Sequence, residues 1–343
     1  MIPTFTADEL AALAPNYIRS IAAYQPGKPI SDVARELGMN ELDIVKLASN
    51  ENPLGASPKA IAAIKMAIGN LAMYPDGGGF ALKATIAQKY SVSPEQIILG
   101  NGSNDILELA ARTFMKAGDS AVYAQHAFAV YPLATQAVGA TGIEVPAKDF
   151  GNDLAMMLKA IRADTKMVFL ANPNNPTGTF IPGPELRAFV QKVPGNVLVV
   201  LDEAYGEYLK DTDVYDSVPW LVACPNVIIS HTLSKAYGLA GLRIGFGLAH
   251  PQLIDLMNRV RQPFNVNHLA MVAAVAALGD TDFINESRRI NDAGLSLLKA
   301  ELNKRDLETI PAYGNFITFK VKAAKRVFEA LLKQGVIVRP IAG

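Results

Sequence analysis

S-H-T-L-S-K-A-Y-G-L-A-G-L-R-I-G-F-G, residues 230–247, follows the apolar run Asn226-Val-Ile-Ile. That run reads as a short buried strand. Off its end come Thr232, Ser234 and Lys235, then Arg243 among glycines eight residues after the lysine. A lysine beside two hydroxyls and an arginine suits an amine that condenses with a phosphorylated aldehyde. The hydroxyls and guanidinium can hold the phosphate, and the surrounding positive charge lowers the amine's pKa so that it acts as a nucleophile. Alone, the same lysine also reads as a solvated loop residue after a strand, so its partners elsewhere decide.

Around this stretch the chain is regular. Strand-like runs fall at 96–99, 120–123, 142–145, 166–171, 197–201 and 227–230, and helical patterns at 106–115, 129–138, 154–163 and 185–193 separate several of them. Short apolar strands alternating with helices predict an α/β fold, a mostly parallel central sheet flanked by helices. After Pro251 helices dominate (252–261, 268–277, 283–304), followed by a strand at 316–321, a helix at 323–334 and a strand at 336–339. The pattern predicts a large cofactor-binding domain over 46–250 and a smaller α+β domain built from both chain ends, 1–45 and 251–343.

The bulk composition narrows the function classes. With 32 basic and 32 acidic residues the formal charge is zero, so no general positive field draws the chain to nucleic acid or an anionic membrane. A single cysteine, Cys224, forbids an intrachain disulfide and fits a reducing cytoplasm. The N-terminus carries acidic residues where a secretory signal carries basic ones. The longest apolar run, 269–278, is half of the roughly 20 residues needed to cross a bilayer. A soluble, cytoplasmic protein is expected.

Three further stretches sit at predicted strand ends. Gly100-Asn-Gly-Ser-Asn-Asp105 lies between a strand and a helix, where small residues let backbone N–H groups close around a phosphate; it also reads as a tight turn. A dinucleotide site fits poorly, because the third glycine is missing. Ala171-Asn-Pro-Asn-Asn-Pro-Thr-Gly178 is a proline-stiffened loop that fixes Asn175 as a directed hydrogen-bonding group, or serves as an ordinary turn. Asp202 ends five aliphatic residues and is followed by Glu-Ala-Tyr205. A carboxylate buried there needs a cation, which a protonated ring nitrogen, a salt-bridge partner or a metal can supply. Metal is disfavoured: His126, His231, His250 and His268 are scattered and read as structural. One small molecule uses an aldehyde-seeking lysine, a ring-nitrogen aspartate, an asparagine and tyrosine for a phenolic oxygen, and a phosphate cradle: pyridoxal 5′-phosphate. Phe128, after another strand, either stacks on its ring or belongs to the core.

The motifs Tyr24-Gln-Pro-Gly-Lys, Leu47-Ala-Ser-Asn-Glu-Asn-Pro, Tyr74-Pro-Asp, Gly102-Ser-Asn-Asp, Asn172-Pro-Asn-Asn-Pro-Thr-Gly, Asp202-Glu-Ala-Tyr, Thr232-Leu-Ser-Lys and Pro263-Phe-Asn-Val-Asn run through nearly the whole chain. On them the chain resembles the fold-type-I pyridoxal-phosphate aminotransferases, and among those the histidinol-phosphate aminotransferases. The resemblance implies transamination of histidinol phosphate with 2-oxoglutarate in histidine biosynthesis, by a homodimer with shared active sites. It implies Lys235 as the Schiff-base lysine, Asp202 on the ring nitrogen, and Asn175 and Tyr205 on the ring oxygen. Gly102, Ser103, Asn104, Thr232, Ser234 and Arg243 would hold the phosphate, Phe128 would stack, and Tyr74 would reach the partner subunit's cofactor phosphate. Tyr24, Asn50, Asn175 and Arg339 would meet the substrate. The family pattern also implies a second anion-binding arginine beyond Arg339-Pro340, which this sequence does not reach. An aromatic-amino-acid aminotransferase, a phosphothreonine decarboxylase and a non-catalytic cofactor-binding regulator remain as alternatives.

Overall fold

Nine strands organise the described part of the chain, β1 (Val45–Lys46), β2 (Ile97–Gly100), β3 (Ser120–Ala124), β4 (Thr141–Val145), β5 (Thr165–Ala171), β6 (Leu198–Asp202), β7 (Val227–Thr232), β8 (Gly245–Ala249) and β9 (Val336–Ile337). The computed structural model describes residues 5–24 and 27–341; Gln25 and Pro26 of the Tyr24 motif, the first four residues and the last two lie outside them. Seven strands form one sheet in the order β2-β8-β7-β6-β5-β3-β4. All its pairings are parallel except those of β8, which runs antiparallel to both β2 and β7. The central strands read as unbroken apolar runs because helices cover both faces: Val168, Leu170, Val199 and Leu201 pack into one core, Met167, Phe169 and Val200 into the other.

This α/β architecture agrees with the sequence pattern, and the differences have local causes. The sequence pattern predicts no strand at β8, because glycines at 245 and 247 look like loop. A Cβ on Gly245 would stand 2.5 Å from Ser103 N and 2.7 Å from His231 O, and one on Gly247 2.9 Å from Ile106 Cγ2. The glycines are there because helix Ser103–Phe114 rides directly on the strand. The strand expected at 316–321 does not form. Its backbone makes only scattered pairings, such as Ile310 N to Thr318 O and Lys320 N to Glu308 O, while Thr318 Oγ1 donates to Pro176 O. The last strand shortens to β9, which pairs in parallel with β1 and so joins the two chain ends.

Helices Pro251–Val260 and His268–Leu278, expected in the smaller domain, pack on the seven-stranded sheet. Ala270, Met271, Ala273, Ala274 and Ala277 share a core with β6 and β7, and the helix lies against Pro58–Ala67 and Phe80–Tyr90. A helix apolar on all sides has to be enclosed in this way. Among the described residues no helix is long and apolar enough to cross a membrane.

Candidate active site

The sheet delivers its chemistry to one edge. β2, β3, β5, β6 and β7 all end there, and β8, running the other way, begins there. Asp202 closes β6 between Ala171 of β5 and Ser230 of β7. Arg243 therefore enters the same edge just before Gly245, which pairs with both Gly100 and Thr232. Carboxyl ends of parallel strands are where open α/β sheets bind ligands. A cavity of about 920 Å³ opens over this edge.

Lys235 and Asp202 both line it. Lys235 Nζ donates to Ser49 O at 2.8 Å and stands 5.9 Å from the centre of the Tyr205 ring. Burial brings its pKa down from 10.5 to about 8, helped by the charge of Arg243 and opposed by Glu51 and Asp202. Asp202 is 4% exposed, and burial pushes its carboxyl up to about 6. The hydroxyl of Tyr131 donates to Asp202 Oδ2 at 3.0 Å and Ala204 N donates to Oδ1 at 3.2 Å, both of which hold that rise down. Tyr205 accepts at its hydroxyl from Asn50 Nδ2 at 2.9 Å, and burial raises its pKa above the ordinary value.

The asparagine loop divides its amides between structure and cavity. Asn172 exchanges hydrogen bonds with Ile181, and Asn174 donates to His126 O and Thr177 Oγ1. Asn175 lines the cavity and makes no hydrogen bond among the described residues. Phe128 lines the cavity too, its ring edge-on to Tyr131 at 5.9 Å.

A cradle of small residues and donors forms the far side. Gly102 precedes helix Ser103–Phe114 with φ +87°, and a Cβ there would come 2.5 Å from Arg243 Nη2. Only glycine lets the guanidinium lie over the helix N-terminus, where backbone N–H groups and the helix dipole favour an anion. Ser103, Asn104, Thr232 and Ser234 complete the wall, with Arg243 Nη1 3.4 Å from Ser234 Oγ. At the mouth, the Arg339 guanidinium lies over the Tyr24 ring at 5.2 Å, and both residues line the cavity with Asn50.

Of the candidate site residues, two do not line this cavity: Gly102 lies behind Arg243, and Tyr74 stands apart, 82% exposed and stacked on Phe264 at 4.8 Å. Two contributors escaped the sequence reading. Tyr131 sits in an apolar helix and reads as core, although it follows Phe128 by one helical turn. Ser49 acts through its carbonyl, which no side-chain motif reveals; the positive φ of Ser49 (78°) and Asn50 (54°) aims it at the lysine. Among the described residues no group of three His, Cys, Asp or Glu is placed to hold a metal ion.

The donor set suits a flat, anionic, aldehyde-bearing ring: an amine of lowered pKa, a buried carboxylate, an unpartnered amide and an anion cradle in one cavity. The comparisons agree with that chemistry. Over 331 residues the chain is 57% identical to histidinol-phosphate aminotransferase 2 of Nitrosospira multiformis, covering 96% of this chain and 84% of the relative. It is 58% identical to histidinol-phosphate aminotransferase 1 of Thiobacillus denitrificans over 332 residues, 97% of this chain and 86% of the relative. The crystal structure of histidinol-phosphate aminotransferase from Sinorhizobium meliloti in complex with pyridoxal-5′-phosphate superposes with a TM-score of 0.89 at 27% identity, covering 100% of this chain and 92% of that one. Residues 42–343 match the family described as aminotransferase class I and II, and the chain belongs to that family.

Proposed function

We propose that the protein is a pyridoxal-phosphate-dependent aminotransferase that moves the amino group of histidinol phosphate to 2-oxoglutarate, in the cytoplasm. The observation that carries this reading is that Lys235, Asp202, Asn175, Ser103, Ser234 and Arg243 line one cavity. When bound, the cofactor supplies an aldehyde that captures amines and a ring that withdraws electrons from the adjoining carbon. The protein's residues do the rest.

Lys235 Nζ loses its proton readily because its pKa is near 8, and so serves first as the nucleophile that holds the aldehyde. When free, the same nitrogen would act as general base toward the proton on the donor's amine-bearing carbon and, in the separate return half, as general acid that delivers a proton to the acceptor's carbon. Asp202, ionised at neutral pH, keeps the ring nitrogen protonated, with Tyr131 fixing the carboxylate's orientation. Asn175 and Tyr205 would hold the ring oxygen, and Phe128 would cover the ring. Ser103, Asn104, Thr232, Ser234 and Arg243 hold the phosphate. Tyr24, Asn50 and Arg339 meet the substrate, Arg339 as its anion partner.

Two architectural readings accompany this one. The chain divides into a large body over 46–250 and a smaller one from 1–45 and 251–343, a division supported by the β1–β9 pairing and qualified by the packing of residues 251–278 on the large sheet. Two copies pair through the surface around Tyr74, where the neighbouring Met73 and the stacked Phe264 are also exposed; exposed apolar surface of this kind suits an interface. Tyr74 then serves the partner's phosphate cradle. Sedimentation at micromolar concentration should give twice the chain mass.

A panel of histidinol phosphate, phenylalanine and phosphothreonine with 2-oxoglutarate tests the reaction. Glutamate formed fastest from histidinol phosphate supports the reading. A preference for phenylalanine, carbon dioxide release from phosphothreonine, or no turnover at all rejects it.

A further inference from the structure

A second cavity, of about 310 Å³, shares no lining residue with the first. Consecutive residues at the ends of β6 and β7 point to opposite faces of the sheet. Asp202 and Thr232 face the first cavity, whereas Glu203 and His231 face the second. Glu203 is 8% exposed and His231 7%. Glu203 Oε1 and both ring nitrogens of His231 are buried without a hydrogen-bond partner among the described residues. The gap across the pair, His231 Nε2 to Glu203 Oε2, is 3.6 Å, too long for a hydrogen bond.

The lining calls for a positive guest. Glu207 adds a second carboxylate, and Asp216 a third nearer the surface. Lys89 Nζ donates to Leu278 O, while Arg288 donates to Leu209 O and Asp211 Oδ1. Among the described residues neither comes within ion-pair distance of Glu203 or Glu207, although the charge of Lys89 reaches Glu207 and His231. Burial holds His231 neutral with a pKa of about 4, so it supplies no charge. Tyr90, Tyr215 and Tyr237 wall the space, their hydroxyls kept protonated by burial. The hydroxyls of Ser217 and Tyr215 help to hold the Glu203 carboxylate but leave Oε1 unpartnered. A buried, unpartnered carboxylate oxygen is costly, and a cation between tyrosine faces and carboxylates relieves that cost.

We propose that this cavity is a second binding site, which takes a small organic cation of the guanidinium type through the carboxylates of Glu203 and Glu207. A guanidinium is planar, weakly hydrated, matches a carboxylate with two parallel N–H donors and stacks on aromatic faces. No described cluster fits a metal ion, which favours an organic guest. Burial raises Glu203 and Glu207 to about 7 each, so the guest is held more tightly as pH rises through neutrality. Binding there does not depend on the cofactor chemistry proposed above.

The test is calorimetric titration of the full chain with methylguanidinium, which, unlike an amine, leaves the cofactor aldehyde alone, and with neutral methylurea. One saturable site is expected for the cation and none for methylurea. Affinity should fall at least about tenfold in Glu203→Gln and by about tenfold between pH 8 and pH 6, and stay unchanged in Lys235→Ala. Glu207→Gln, at a less buried position, gives a second reading should Glu203→Gln fold poorly. A crystal grown with methylguanidinium should show it against Glu203. Equal binding by wild type and the glutamate variants, no saturable binding by wild type, or ordered water alone at Glu203 in that crystal overturns the proposal.

Discussion

The hydroxyl of Tyr131 donates to Asp202 Oδ2 at 3.0 Å, from a ring stacked on Phe169 at 5.0 Å and 7°. The tyrosine is fully enclosed, so this hydrogen bond is made in an apolar setting where it strongly favours the ionised carboxylate. In the proposed function Asp202 would have to stay charged, and it would owe part of that charge to a residue that reads as core.

Tyr131→Phe removes the donor and keeps the stack. The Asp202 pKa should rise further, and the acid limb of cofactor binding should move up by about one pH unit, the size expected for one lost hydrogen bond to a charge. Cofactor titrations from pH 5 to 8 read this directly. An unmoved acid limb would assign Tyr131 to packing alone.

Asp202 also costs the cofactor-free protein stability. Its folded pKa, about 6, stands above its ordinary 3.8, so its carboxyl favours folding only at acid pH. That contribution is lost as pH rises from 3.8 through 6, and above 6 the buried charge is a penalty of about 3 kcal/mol. Asp202→Asn should therefore stabilise the cofactor-free protein at pH 7.5 by about 1–3 kcal/mol, less than the full penalty because Lys235 loses a favourable neighbour. Transamination should collapse in the same variant. Urea unfolding checks the first statement, and a lower midpoint in the variant contradicts it.

Gly102→Ala places a methyl where Arg243 Nη2 lies and asks alanine to adopt φ +87°. The expected loss is about 1–2 kcal/mol of stability, together with at least about tenfold weaker cofactor binding as the guanidinium is displaced. Equilibrium dialysis against pyridoxal phosphate measures the second effect. Normal affinity would show that the cradle does not use Arg243.

The amine of Lys235 should set the rate of cofactor capture. Only the neutral form attacks an aldehyde, and the neutral fraction grows as pH rises through a pKa of about 8. Stopped-flow mixing with the cofactor should give a rate that climbs to a plateau just above pH 8. A climb continuing toward 10.5 would mean that burial does not tune this lysine.

That most of the candidate residues share one cavity is legible in the sequence, because they sit at strand ends and strand ends can be read from apolar runs. Asp202 after five aliphatic residues and Lys235 after β7 could be placed in this way. Position in the sheet was harder. Nothing in residues 245–249 distinguishes an antiparallel strand crowded by a helix from a glycine loop, since the cause is Ser103 and Ile106 far away in sequence. Tyr131 was missed for the same reason: its hydroxyl meets a carboxylate 71 residues later. The segment 316–321 alternates like a strand, yet its side chains face a cavity edge with no sheet to join. Among the histidines His231 reads as structural, and Glu203 is simply the residue after Asp202; only the sheet's two faces bring the pair to a cavity of its own.

The central claim is that Lys235 is the amine that holds the cofactor. Reducing the cofactor-loaded protein with borohydride makes the lysine–cofactor bond permanent, and peptide mass spectrometry then locates it. The modification should fall on Lys235 in the wild-type chain and be missing from Lys235→Ala. A reduced cofactor on another lysine, or none on the wild-type protein, contradicts the account.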